Sequence, residues 1–147
     1  MAMRREIALR TGPYDPYLGP GASMNASEEG DFIYRAQQAG ARVLHEPEVQ
    51  LIHLAWRTRE EWTRVLFCYG TGDAAFAMKH LRCRDLRLFL PFVRRVCQMF
   101  ARLCFRVLKR VGHQEEHYLR GCWNGVALSW RHPVNRQTKL YGQPKSV

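Results

Sequence analysis

Residues 27–40 read Ser27-Glu28-Glu29-Gly30-Asp31-Phe32-Ile33-Tyr34-Arg35-Ala36-Gln37-Gln38-Ala39-Gly40, and their spacing predicts a helix from about Glu28 to Ala39. Phe32, Ile33, Ala36 and Ala39 recur at the three- and four-residue intervals of one helical face. Ser27 carries an oxygen able to cap the amides of the first turn, and Gly40 supplies a left-handed stop. Gly30, not Glu, holds the third helical position, so the capping box is incomplete. Upstream, residues 11–26 (TGPYDPYLGPGASMNA) are dense in turn-forming residues and read as a loop with aromatic anchors. Downstream, Arg42-Val43-Leu44-His45 and Val49-Gln50-Leu51-Ile52-His53 flank Glu46-Pro47-Glu48, which reads as strand, proline turn, strand. A helix accompanied by short strands places this part of the chain in the α/β class.

Further out, Thr58 is positioned to cap a second helix, with Glu60 and Glu61 at its positive end and Trp62, Val65, Leu66 and Tyr69 as an apolar stripe. Gly70-Thr71-Gly72 is expected to interrupt it before another helical stretch, Asp73 to Leu81. From Arg94 to Val111, Val96, Met99, Phe100, Leu103, Val107 and Val111 take one side of a helix. Arg95, Gln98, Arg102, Arg106 and Lys109 take the other. Trp123 and Trp130 stand among Gly, Asn and Pro, and the last ten or so residues are expected to be poorly ordered. The division is 1–58, an α/β part, and 59–147, a basic, amphipathic helical extension with a flexible end.

Composition bounds the function. At 147 residues, 46% hydrophobic and 12% aromatic, the chain can bury one core, which excludes wholesale disorder. Lys and Arg number 23 against 13 Asp and Glu, a net charge of +10 that favours anionic partners such as phosphate ligands or acidic lipid. No zinc finger, RNA-recognition signature or helix-turn-helix pattern accompanies the charge, so nucleic acid is not an expected partner. Cysteines at 68, 83, 97, 104 and 122 form no C-x-x-C pair, which argues for a reducing, cytoplasmic setting. Residues 1–10 lack the apolar run of a secretory signal. The apolar region 86–111 is broken by seven Lys and Arg, which excludes a spanning helix and suits one lying on the inner face of a membrane. His113-Gln114-Glu115-Glu116-His117 fits the permissive H-x-x-E-H zinc pattern, with a solvated linker as the plainer explanation.

The chemistry concentrates at Glu28, Glu29 and Asp31. Three carboxylates in four residues repel one another, and a helix N-terminus offsets that by about 0.3–1 kcal/mol per group. The same field keeps a carboxylate ionised at neutral pH, as a general base requires.

These residues also carry a resemblance. Met1-Ala2-Met3-Arg4-Arg5, then residues 12–21 (GPYDPYLGPG), then Glu28-Glu29-Gly30-Asp31-Phe32 with Arg35, Ala39-Gly40, Glu46-Pro47 and His53 resemble, in order and spacing, the C-terminal half of family-two glycosyltransferases of the GT-A fold. The family pattern is an "MAFRR" strand, a "GxFDxxLGxG" loop, a "GEDxDxxxRxxxAG" helix, a "YEP" turn and a strand ending in His. The match covers residues 1 to about 58.

The resemblance implies a partial GT-A domain and the transfer of a sugar, with inversion, from a nucleotide-sugar to an acceptor hydroxyl on a glycan or lipid-linked molecule. Glu29 falls at the general base of the "ED" pair. The family usually has Asp there, so Glu carries the carboxylate one methylene further. Glu28 and Asp31 would support the acceptor site, orient the base or stabilise the turn, Gly19 and Gly21 would shape the acceptor loop, and Arg57 would pair with phosphate. His53 would approach a divalent cation, Mg2+ or Mn2+. The sequence has no D-x-D. The cation and donor are therefore expected to be held mainly by an N-terminal nucleotide-binding half that this chain lacks, leaving it inactive alone. The alternative is a basic amphipathic module that meets membranes or proteins without catalysis.

Overall fold

The computed structural model describes residues 3–50, 52, 54, 57–110 and 114–143. Among the described residues five helices form, α1 (Arg5–Thr11), α2 (Glu28–Gln38), α3 (Arg59–Arg82), α4 (Phe89–Leu108) and α5 (Glu115–Arg131). A hairpin follows, β1 (Val134–Asn135) antiparallel to β2 (Leu140–Tyr141), with Val134 opposite Tyr141. The expected α/β class and partial GT-A domain are thus corrected. Among the described residues the fold is mostly helical, and its sheet is this one hairpin.

Local signals shape α2 at one end only. Gly40, at φ +90°, closes it: its N–H donates to the Gln37 carbonyl at 3.0 Å, and that of Ala41 to Ala36 at 2.9 Å, which together form a Schellman motif. Ser27 does not cap the other end as expected. It is left-handed, at φ 71°, and its hydroxyl donates instead to Asp73 Oδ1 of α3 at 2.9 Å. The start of α2 is thereby tied to tertiary structure.

The expected strand at 42–45 does not form, nor does the described part of the one expected at 49–53, although the turn at Pro47-Glu48 does; Leu51 and His53 lie outside the described residues. Val43, Leu44, Val49 and Ile52 are all more than half exposed. A β-branched run becomes a strand only where a neighbour completes its hydrogen-bond ladder. Here none does.

Thr58 caps α3 through a reciprocal box: its Oγ1 accepts the Glu61 N–H at 3.2 Å, and its own N–H donates to Glu61 Oε2 at 2.7 Å. Gly70-Thr71-Gly72 does not interrupt the helix, which runs unbroken for 24 residues. These glycines are contact points. A Cβ on Gly70 would lie 2.1 Å from the Tyr118 carbonyl oxygen of α5, and on Gly121 or Gly125 it would lie 2.1 and 2.2 Å from the Phe67 and Thr71 carbonyl oxygens of α3. A Cβ on Gly72 would meet Ala26 of the loop at 2.6 Å. Glycine costs each helix about 0.5–1 kcal/mol per residue, and the close approach of two backbones offsets it. Gly, Asn and Trp in 115–131, which gave no helical signal, accordingly form α5.

Packing on this pair forms two cores. Ala74, Tyr118 and Cys122 gather Phe92, Val96 and Met99 of α4. Leu18 and Met24 of the loop meet Ala75 of α3 and Tyr141 of the hairpin, so residues from both sides of the expected boundary at 58 share one core. Tyr141 of the hairpin is 4% exposed; of the end expected to be poorly ordered, residues 144–147 lie outside the described residues. No helix among the described residues is long and apolar enough to cross a membrane.

The glycine assignment predicts opposite signs for one substitution at two sites. Gly121→Ala forces α3 and α5 apart and should destabilise by about 1–3 kcal/mol. Gly30→Ala, whose Cβ would find only Phe76 at 3.9 Å, should stabilise by about 0.5–1 kcal/mol. Urea unfolding of both variants measures the contrast, and a neutral Gly121→Ala would contradict the packing.

Candidate functional site

Behind the start of α2 lies a buried ionic cluster. Lys79 of α3 places its ammonium between two carboxylates, 2.6 Å from Asp15 Oδ2 of the loop and 2.7 Å from Asp31 Oδ1 of α2. His80 Nε2 stands 2.9 Å from the same Asp31 oxygen, and Arg35 Nε donates to Asp31 Oδ2 at 2.9 Å. The other guanidinium nitrogens of Arg35 donate to the Thr11 and Pro13 carbonyls, both at 2.8 Å. Asp15 also accepts the backbone N–H groups of Tyr17 and Tyr141, both at 3.0 Å. The cluster therefore joins the loop, α2, α3 and the hairpin. The side chains of Asp15, Asp31, Lys79 and His80 are all fully buried.

Charge balance explains how they persist there. Two carboxylates meet Lys79 and Arg35, so a neutral His80 leaves no net charge. Geometry favours that state: Nε2–H donates to Asp31, and Nδ1 is buried with no partner among the described residues. Protonation would turn Nδ1 into an unsatisfied buried donor, at a cost of about 1–3 kcal/mol, and would add a second positive charge near the Lys79 ammonium. Burial accordingly holds the His80 pKa below its usual 6.5, although Asp31 pulls it the other way. For Asp31, burial alone would raise the pKa, but the His80 hydrogen bond and the Lys79 and Arg35 charges bring it down to about 2. Both groups bind protons less readily folded than unfolded. The stability from His80 is complete above pH 6.5 and that from Asp31 above about 3.8, so acid erodes the fold first through the imidazole and then through the carboxylate.

The residues expected at a site fall into distinct settings. Glu29 is exposed in the first turn of α2, with no partner among the described residues. Glu28 is half-buried across the loop, where a Cβ on buried Gly19 would meet its Cδ at 3.0 Å. Gly19 and Gly21 have φ +99° and +83°, so both turns need glycine's freedom, and Gly21 is exposed. Asp31 lies in the ionic cluster. Arg57 is exposed, its guanidinium 5.4 Å from the centre of the Trp62 ring. His53 and His113 lie outside the described residues; His117 sits 3.5 Å from Glu116. The structure thus brings Glu28 to Gly19 and separates the role of Asp31 from that of Glu29.

Sequence inspection missed Asp15, Lys79 and His80 as a group. One signal was available, since Lys79 follows Gly72, Ala75 and Phe76 at seven, four and three residues on one helical face. A cation at such a position requires a buried acid.

Among the described residues no group of three or more His, Cys, Asp or Glu could hold a metal. The two carboxylates that come together, Asp15 and Asp31, are already bridged by an ammonium. Those residues do not fit a divalent cation.

No protein-family model, curated protein or solved structure matches the chain. The site therefore rests on its own geometry.

Lys79→Met keeps most of the side-chain volume but leaves Asp15 and Asp31 facing each other without their shared cation. Removing one member of a buried ion set costs about 3–5 kcal/mol. Urea unfolding at pH 7 should show a loss of that size, and a loss below about 1 kcal/mol would mean that the ammonium does not hold these elements together.

Proposed function

We propose that the chain is the acceptor-side part of an inverting glycosyltransferase, in which Glu29 takes the proton from the attacking hydroxyl. The observation that carries this is the division of labour within one helical turn. Asp31 is bound by Lys79, His80 and Arg35, which fixes α2, while Glu29 two residues earlier is exposed and unshared. A base needs a free oxygen on a rigid support. The helix N-terminus favours its anionic form, and Glu28 and the Gly19–Gly21 loop form the adjoining surface. The order of the motifs in residues 1–53 supports the same assignment, although the strands of that pattern do not form among the described residues, where Arg5 opens α1 instead.

In this proposal the acceptor hydroxyl approaches Glu29, which accepts its proton as the oxygen attacks the anomeric carbon and the nucleoside diphosphate leaves. With no D-x-D in the sequence, the diphosphate and any Mg2+ or Mn2+ are assigned to a separate donor-binding half. His53 and Arg57 are the residues of this chain that would face it. The acceptor is a glycan or a lipid-linked molecule, and the setting is cytoplasmic.

Joined to a donor-binding half, the chain should transfer sugar from a nucleotide-sugar. Glu29→Gln should lower kcat by about 10²–10⁴-fold while the donor Kd measured by calorimetry stays within about twofold. Undiminished turnover would remove Glu29 from the reaction.

A further inference from the structure

Helix α4 carries more apolar surface than the bundle uses. Phe92, Val96 and Met99 form its inner stripe, packed on the α3–α5 core, with Leu103 half-buried at the same spacing. A second stripe, Val93, Cys97, Phe100, Cys104 and Val107, follows at i, i+4, i+7, i+11 and i+14, and all five are exposed. Phe100 and Val107 retain 59% and 52% of their accessible surface. At 1.5 Å per residue the stripe is about 21 Å long. An apolar strip of that length on a water-facing helix marks a surface that meets something else.

Charge identifies the occupant. Residues 86–110 contain seven Lys or Arg and no Asp or Glu. Arg87, Arg95 and Arg106 are paired with carboxylates from outside this stretch, whereas no salt bridge engages Arg94, Arg102 or Lys109 among the described residues. A second copy of the chain would bring these unbalanced cations against their own kind. An anionic bilayer complements both features, because apolar side chains enter the boundary below the headgroups while long cationic side chains reach the phosphates. Helix α5 adds a third observation. Trp123, Val126 and Trp130 share one of its faces at i, i+3 and i+7. Val126 packs in the same core as Phe92, Val96 and Met99, and both indoles are largely exposed. Tryptophan is enriched at the membrane–water interface.

We propose that the outer face of α4 docks this protein on an anionic lipid surface, with Val93, Phe100 and Val107 inserted and Arg94, which flanks that stripe, on a lipid phosphate. The helix lies in the interface and does not cross it. This docking is independent of the glycosyl-transfer assignment, since none of its residues belongs to the α2 site.

Co-sedimentation with vesicles tests it, using pure phosphatidylcholine against phosphatidylcholine with about one-third phosphatidylserine. The full chain should partition at least tenfold more strongly onto the anionic vesicles and weaken as salt is raised. Phe100→Gln with Val107→Gln should lower that partition at least tenfold without changing the melting temperature, because both side chains are exposed. Equal binding to both vesicles, or none, would overturn the proposal. Unchanged binding by the double variant would mean that charge alone holds the protein and would overturn the assigned face. Concentration-dependent dimerisation without lipid, abolished by the same double variant, would give that face to a second copy and also overturn it.

Discussion

The ammonium of Lys79, held between Asp15 and Asp31, fixes the relation of the three segments that matter. Without that cation the loop and α2 would face each other with two buried negative charges, and neither could stay where it is. With it, one point on α3 locates the loop through Asp15 and the start of α2 through Asp31. Arg35 then closes the arrangement by gripping the carbonyls of Thr11 and Pro13. A buried ion set costs desolvation and is not by itself a large source of stability. Its effect is specificity, because displacing any member strands the others.

That set can form because α3 and α5 approach backbone to backbone. Gly70, Gly121 and Gly125 remove the side chains that would otherwise separate the helices. The hairpin after α5 can then place Tyr141 so that its N–H reaches Asp15, while its hydroxyl donates to the Ala75 carbonyl at 2.6 Å. Helix crossing, hairpin and ionic cluster are one construction, and Glu29 stands on its surface in the helical turn that Asp31 anchors. The proposed chemistry depends on this rigidity, since a proton acceptor misplaced by an ångström loses much of its effect.

What could be seen in the sequence follows from the range of the forces involved. The body of α2, the Gly40 stop and the Thr58 cap are set by residues within four positions of one another, and each is present. The strands expected at 42–45 and 49–53 depend on a ladder that no described neighbour supplies, so propensity alone misassigned them and with them the α/β class. Gly70 and Gly72 looked like breakers because their partners lie some fifty residues away in sequence. Asp31 was visible as one acid among three, but its distinction from Glu29 is made by Lys79 and His80, which only the folded chain brings near. The stripe of α4 was legible as amphipathic. Its division into a packed edge and an exposed edge was not.

Nuclear magnetic resonance reads the charges within the cluster directly. A pH titration following the side-chain carboxyl carbon of Asp31 and the ring nitrogens of His80 should find the carboxylate titrating near pH 2. At neutral pH the imidazole should be neutral with its proton on Nε2. An Asp31 midpoint at or above the ordinary 3.8, or an imidazolium spectrum at pH 7, would contradict the account.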